Sequence, residues 1–249
     1  RALEQARKMD EELAAGKYRG ILHGIPYGAK DLMAVEGYKT TWGAAPYKDQ
    51  IIDETATVIQ KLDEAGAVLI AKLVSGALAR GDIWFGGKTL NPWDLEQGAS
   101  GSSAGSGSAT AAGLVPFALG TETLGSITSP STRNGVTGLR PTYGSVSRTG
   151  VMSLSWSMDK IGPLGRTAYD CAVIYDAIRG YDHMDPMSVQ AAFTYPSSKD
   201  LKNLKIGYFK EFFEDDTTAT GNNNKMLLDS IRAMGFELIE VEMPEQLSK

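Results

Sequence analysis

Residues 98–113 read GASGSSAGSGSATAAG, a tract made only of Gly, Ser, Ala and Thr. Such a tract has two readings. As a flexible linker it would be unremarkable. It lies, however, between short apolar runs that read as core strands, and its alanines accumulate towards the end. That context favours a tight loop running into a closely packed helix of small residues. Glycines there would let the backbone come close to a ligand, and the helix start would present unpaired N–H groups. Outward from this tract, Val115–Leu119 reads as a buried strand, and so do Val68–Ala71 and Val136–Leu139. A helix beginning near Thr55 places Val58, Ile59, Leu62 and Ala65 on one face, with Gly66 at its C-terminal cap. Thr167 and Asp170 have the spacing of a capping box ahead of Cys171, Val173, Ile174 and Ile178. Towards the end, Lys205–Phe209 and Phe236–Val241 read as strands around a helix carrying Met226, Leu227, Ile231 and Met234. Short apolar runs alternating with amphipathic helices predict an α/β fold with a largely parallel or mixed sheet.

The chain of 249 residues is long enough to bury a core without disulfides or a structural metal. Its formal net charge of −5 argues against a nucleic-acid backbone as the main partner. The single cysteine, Cys171, excludes an internal disulfide framework and fits a reducing compartment, so the expected address is the cytoplasm. No apolar run is long enough to span a bilayer, and no membrane partner is expected. Residues 1–20 open as a helix already under way, with Leu3, Ala6, Met9 and Leu13 on one stripe. The chain therefore reads as truncated at its start.

Hydrolytic chemistry through a Ser/His/Asp triad needs a histidine as base. Only His23 and His183 are present; His183, in YDHMDP, reads as a solvated turn residue, and His23 lies in ILHGIPYGAKD. There is no HExxH, no cysteine pair and no Walker-type phosphate loop, so no metal site is expected. Cys171 falls inside an amphipathic helix and reads as a packed thiol. Lysine remains as a candidate base, because desolvation disfavours its ammonium form. Lys30 stands out of pattern in the small, apolar stretch GIPYGAKDLM, although a surface lysine at a strand end, next to Asp31, would fit that stretch too. Ser126, in GTETLGSITSPS, sits where a strand would turn into a helix. Backbone N–H groups of such a turn could hold an oxyanion, yet an ordinary turn serine is equally compatible with the local sequence.

Four ordered stretches carry a further signal: HGIPYGAKD (23–31), NPWDLEQGASGSSAGSGSATAAG (91–113), GTETLGSITSPSTRNGVTGLRPTYGSVSRTG (120–150) and MDKIGPLGRT (158–167). Together they closely resemble the amidase signature family. The resemblance implies a central mixed, largely parallel β-sheet flanked by helices on both faces. It implies a single domain over 1–249, truncated at both ends and lacking the C-terminal part, with the signature core at about 23–180. It further implies a Ser–cisSer–Lys triad of Ser126, Ser102 and Lys30, with a cis peptide bond between Gly101 and Ser102. The family spacing of twenty-four residues between the two serines selects Ser102, leaving Ser103 as a supporting residue or helix cap. The implied oxyanion hole is formed by backbone N–H groups across Thr123, Leu124, Gly125 and Ser126.

The implied activity is hydrolysis of a carboxamide C–N bond, extending to esters or carbamates, on a small-molecule amide substrate and with no cofactor. One alternative is the glutaminase component of a tRNA-dependent amidotransferase, the one case in which nucleic-acid contact is expected. The other is a catalytically silent binding homologue. A homodimer is compatible with any of these. The sequence departs from the family pattern at Leu124, Ser100 and Ala104, where glycine is common, at Thr128 in place of arginine, and at Asn134 in place of cysteine. A left-handed backbone at Leu124 would cost about 1–2 kcal/mol.

Overall fold

The computed structural model describes residues 1–195, 201 and 203–242. The chain divides into two compact units, Arg1–Phe193 and Thr194–Lys249. The first contains helices α1 (Ala2–Ala14), α2 (Thr57–Glu64), α3 (Ala104–Ala111), α4 (Thr128–Asn134) and α5 (Ala168–Ile178). Its strands are β1 (Pro26–Lys30), β2 (Val68–Leu73), β3 (Ile83–Trp84), β4 (Gly87–Lys88), β5 (Leu90–Asn91), β6 (Asp94–Gly98), β7 (Phe117–Glu122), β8 (Thr137–Gly138) and β9 (Lys160–Gly165). The pairs β3–β4 and β5–β6 form two small antiparallel ribbons. The other five strands make one sheet in the order β2-β1-β7-β9-β8. β1 pairs in parallel with β2 and β7, whereas β9 runs antiparallel to both β7 and β8. Four strands thus point one way and β9 the other, the mixed, largely parallel sheet of the sequence reading.

Alternation along β7 shows how the two faces are covered. Phe117 and Leu119 join the main core with Tyr27 and Ala29 of β1, Leu62 of α2, and Ile174 of α5. Ala118 points the other way and packs with Ala109 of α3 and with Val115. Helices therefore cover both faces. The α3 face is close-packed because its residues are small: Ala104, Gly105, Ser106, Gly107, Ala109 and Thr110 are all buried. A Cβ on Gly105 would lie 2.6 Å from the Val74 carbonyl oxygen, so glycine is what admits the helix to that backbone. Small polar side chains bond back into the layer: Ser106 Oγ donates to the Leu119 carbonyl at 2.8 Å.

Thr167 caps α5 as its spacing predicts, its hydroxyl accepting from the Asp170 N–H while the Asp170 carboxylate accepts from the Thr167 N–H. Two helices bury a different stripe from the one expected. In α1, Met9 is buried but Leu3 and Leu13 are exposed; the packed positions are Ala2, Gln5, Ala6, Met9 and Glu12. Glu12 belongs to that face because it pairs with Arg19.

The second unit, taken by itself, contains β10 (Lys205–Tyr208), α6 (Lys210–Phe213), α7 (Ala219–Ala233) and β11 (Glu237–Glu240), with β10 and β11 parallel. Leu228 is the buried apolar side chain of α7, while Met226, Leu227 and Met234 are exposed. Among the described residues no helix is long and apolar enough to cross a membrane.

Leu62 is fully buried in the main core, whereas Thr167 contributes one cap. Urea unfolding of Leu62→Ala should therefore show a loss of about 2–5 kcal/mol, and Thr167→Ala a smaller loss of about 1 kcal/mol.

Candidate active site

Lys30 ends β1, on the opposite side of the strand from Ala29, and its side chain is 0% exposed. Its Nζ lies 2.7 Å from Ser102 Oγ, 3.0 Å from Ser103 Oγ and 2.8 Å from Thr121 Oγ1. The Thr121 carbonyl is a further, longer contact at 3.4 Å. Among the described residues no carboxylate forms an ion pair with Lys30. Burial holds its pKa well below that of an ordinary lysine; the negative charges of Asp159 and Glu122 act in the opposite direction but do not prevail. α3, which packs on this side, carries no titratable side chain. The neighbouring Asp31 does not neutralise Lys30. Its carboxylate pairs with Lys72 Nζ at 2.8 Å and accepts from the Thr41 N–H at 3.0 Å and the Thr41 hydroxyl. The surface-lysine alternative for Lys30 is thereby removed.

Ser102 and Ser103 are both buried in the loop that enters α3, and the Gly101–Ser102 peptide bond is cis. Ser103 occupies the N-cap position of α3, but its hydroxyl makes no cap bond. It donates instead to the Thr121 carbonyl at 3.1 Å, and accepts from the Thr121 N–H at 3.2 Å. Ser103 thus ties the serine loop to β7 beside Lys30. Gly120 makes room for it, since a Cβ there would lie 2.8 Å from Ser103 Oγ. On the outer side of the loop, Ser75 Oγ donates to the Ser102 carbonyl at 3.2 Å and the Gly76 N–H to the same carbonyl at 3.1 Å.

β7 ends at Glu122, and a turn through Thr123, Leu124, Gly125 and Ser126 leads into α4. Ser126 is half-buried, and its carbonyl accepts from the Ser103 N–H at 3.2 Å. The two serine segments are therefore joined through backbone, while the Ser126 hydroxyl makes no side-chain hydrogen bond among the described residues. Leu124 is exposed and is not among the residues with positive φ, so the left-handed penalty does not arise; Gly125 takes that conformation, with φ 91°. The Leu124 and Ser126 N–H groups donate to no other described residue. The Glu122 carboxylate, by contrast, accepts from the Ile127 N–H at 2.8 Å and the Thr128 N–H at 2.9 Å. Burial alone would raise the Glu122 pKa, but the Thr128, Gly125 and Ile127 N–H groups outweigh it and hold the carboxyl below its usual range. Gly125 therefore directs its N–H at Glu122.

The other departures from the family pattern also have local explanations. Ser100 takes a left-handed conformation, φ 60°, and its hydroxyl bonds Ser129 at 2.6 Å. Asn134 is buried and donates from Nδ2 to the Ala99 carbonyl at 2.8 Å and the Pro130 carbonyl at 2.7 Å, joining the serine loop to α4. Thr128 feeds Glu122. Ala104 is fully buried where α3 begins.

Neither histidine forms a hydrogen bond with Lys30, Ser102 or Ser126. His23 Nδ1 accepts from the Arg19 N–H at 3.2 Å, so its Nε2–H donates to the Met9 carbonyl at 2.9 Å. His183 is exposed, and Cys171 is a buried thiol whose pKa burial pushes up to about 11. Among the described residues no group of His, Cys, Asp and Glu could hold a metal ion. Three residues that the sequence reading gave no role also meet here: Thr121, Glu122 and Asp159. All lie inside the quoted motif stretches, which is the one signal that could have flagged them. Thr121 and Asp159 also line a cavity of about 210 Å³, with Met152, Ser153, Trp156 and Met184 among its walls.

A buried lysine whose pKa is lowered makes stability depend on pH. In the unfolded chain it keeps its proton up to about pH 10.4, so below that value the unfolded state binds more protons. Stability from Lys30 should therefore rise with pH between its lowered folded-state pKa and about 10.4, by up to about 1.4 kcal/mol per pH unit. Urea titrations across this range should show wild type gaining on Lys30→Met as pH rises. Parallel curves would contradict a lowered Lys30 pKa.

The Amidase family model matches residues 1–249. Among curated relatives, the A-type subunit of glutamyl-tRNA(Gln) amidotransferase from Methanosarcina barkeri is 43% identical over 218 residues, 86% of this chain and 45% of the relative. The protein of the same name from Rippkaea orientalis is 40% identical, covering 98% of this chain and 52% of the relative. Among solved structures, the peptide amidase of Stenotrophomonas maltophilia superposes with a TM-score of 0.88 at 31% identity, covering 99% of this chain and 53% of the amidase. The chain spans about half the length of the relatives it matches. With every residue inside the family model and a similar solved fold at over 30% identity, this chain belongs to the amidase family.

Proposed function

We propose that the chain carries the chemistry of an amide hydrolase that cleaves a carboxamide C–N bond through an acyl-enzyme on Ser126. The observation that carries this reading is Lys30, wholly buried, its pKa lowered well below that of an ordinary lysine, and its Nζ 2.7 Å from Ser102 Oγ. As Ser126 Oγ attacks the carbonyl carbon, its proton passes to Ser102 Oγ, and the Ser102 proton passes to Lys30 Nζ. The tetrahedral oxyanion is held by backbone N–H groups of the Thr123–Ser126 turn, with those of Leu124 and Ser126 free of competing acceptors. Collapse breaks the C–N bond, and the relay returns the proton to the leaving amine. Water then attacks the ester by the same route and releases the acid. Lys30, Ser102 and Ser126 are the catalytic groups in this reading, with Gly101 and Ser103 supporting them. A small-molecule amide is the substrate, the cytoplasm is the address, and no metal or organic cofactor takes part.

A second reading is favoured by the curated relatives, both named as components of an amidotransferase. In it, glutamine is the amide and the released ammonia is passed to a partner protein. Glutamine-dependent ammonia release that rises with charged tRNA and a co-purifying protein would select this reading.

The full chain should be assayed on primary amides, anilides, esters and glutamine, with intact-mass detection of the acyl adduct. Ser126→Ala should lose the adduct and at least about 10⁴-fold in kcat. Lys30→Ala should lose about 10²–10⁴-fold, most severely near neutral pH, where no other group can take the proton. Normal turnover by Ser126→Ala would overturn the assignment, and a wild-type chain that turns over none of the panel would favour a silent binding homologue.

A further inference from the structure

Asp159 directly precedes β9 and is almost wholly buried. One carboxylate oxygen, Oδ2, accepts from the Leu154 N–H at 2.8 Å, the Ser155 N–H at 3.0 Å and Ser153 Oγ at 3.1 Å. These three donors fix the carboxylate in place. The other oxygen, Oδ1, accepts from the Thr123 hydroxyl. The next residue, Lys160, donates from Nζ to the Thr123 carbonyl at 2.9 Å. Its backbone pairs with Glu122 at the end of β7. Thr123 is therefore gripped by side chain and by carbonyl from one point of β9. At the far end of the same turn, Glu122 holds the Ile127 and Thr128 N–H groups. The turn between these two clamps is the one whose Leu124 and Ser126 N–H groups stay free.

We infer that Asp159 is a positioning residue for the oxyanion turn, acting through the Thr123 hydroxyl, with Lys160 as its companion on the Thr123 carbonyl. The inference rests on reading Thr123–Ser126 as the oxyanion-binding segment. An oxyanion hole works because its donors are already aimed where charge develops, so a turn held at one end only would lose part of that aim. Asp159 does this without competing for the donors, since its contacts use the Thr123 side chain and the 153–155 segment.

The same carboxylate acts on Lys30 by a second route. Asp159 and Glu122 are the charged groups that favour the Lys30 ammonium. Glu122 has Arg140 at 4.0 Å, and Asp31, on Lys30's own segment, is paired with Lys72. α3 presents no titratable group. Removing the Asp159 charge should therefore shift the acid limb of kcat/KM to lower pH, while removing the Thr123 hydroxyl should leave that limb in place.

Three variants of the full chain separate these effects, assayed with the best amide of the panel above. Thr123→Val keeps shape and removes the hydroxyl; kcat should fall about 10–100-fold with KM changed less than about threefold. Thr123→Ser restores the hydroxyl and should recover kcat to within about threefold of wild type. Asp159→Asn should lower kcat by a similar factor to Thr123→Val and move the acid limb downward. Wild-type kcat in Thr123→Val, or equal loss in Thr123→Ser and Thr123→Val, would overturn the inference. So would an unshifted acid limb and unchanged kcat in Asp159→Asn. Ser126→Ala in parallel identifies which claim fails. If it keeps turnover, the reading of the site falls; if it is inactive and Thr123→Val is unimpaired, only the positioning role falls.

Discussion

The site depends on one constraint: a lysine with no exposed surface and, among the described residues, no ion-pair partner has to be accommodated. Charged, it would face a desolvation penalty of several kcal/mol. Neutral, it needs only polar neighbours that can both donate and accept. Hydroxyls do both, and Lys30 is surrounded by three of them, from Ser102, Ser103 and Thr121. The surrounding architecture follows from bringing those hydroxyls to one nitrogen. The serine loop must lie against the end of the sheet, so Gly120 has no side chain and α3 is built from small residues. The tract that composition alone leaves open to a linker reading is in fact a buried loop and the closely packed helix α3.

The adjacent Asp31 shows how the fold keeps this lysine unpaired. A carboxylate beside Lys30 in sequence would be its natural counter-ion. Instead it is held by Lys72, Thr41 and their surroundings. Lys72 lies on β2, in register with Ala29 of β1, so the parallel pairing itself delivers the competing cation to Asp31. Two charges that could have quenched the site neutralise each other beside it. The carboxylates that do influence Lys30 act at longer range, and both are tied up by hydrogen bonds to residues 123–128. The same two side chains thus touch both the proton affinity of Lys30, where they oppose burial, and the geometry of the turn around Ser126.

Much of this was legible in the sequence, and the limits were physical. Helix α2, the capping box of α5 and the strand–turn–helix at Ser126 follow from local periodicity and caps, which depend on neighbours a few residues away. The packed face of α1 did not, because Glu12 is drawn into it by Arg19 and not by hydrophobicity. Lys30 was visible only as an anomaly, since burial is decided by β7 and α3 rather than by GIPYGAKD. Ser103 was open between cap and support; the pull of Lys30 and Thr121 takes its hydroxyl away from the helix. Leu124 looked like a source of strain, yet the neighbouring Gly125 takes the left-handed step. Thr121 and Asp159 carried no local signal because each acts across strands, on a partner distant in sequence.

In the mechanism we propose, the choice of base follows from these contacts. An imidazole titrates near neutral pH in water and needs only orientation, whereas a lysine needs its pKa lowered by several units. The first unit does possess a half-buried histidine, but both ring nitrogens of His23 are committed to backbone groups of Arg19 and Met9. It serves to tie the Tyr18–Ile25 connection to α1 and has no lone pair left for a substrate proton. Lys30 has the opposite balance: no charge partner among the described residues, one flexible amine and hydroxyls at hydrogen-bond distance. Burial lowers its proton affinity. The opposing fields of Asp159 and Glu122 restrain that fall. On the proposed mechanism, a base buried by small residues and restrained by two remote carboxylates can be tuned without touching the groups assigned to contact the substrate.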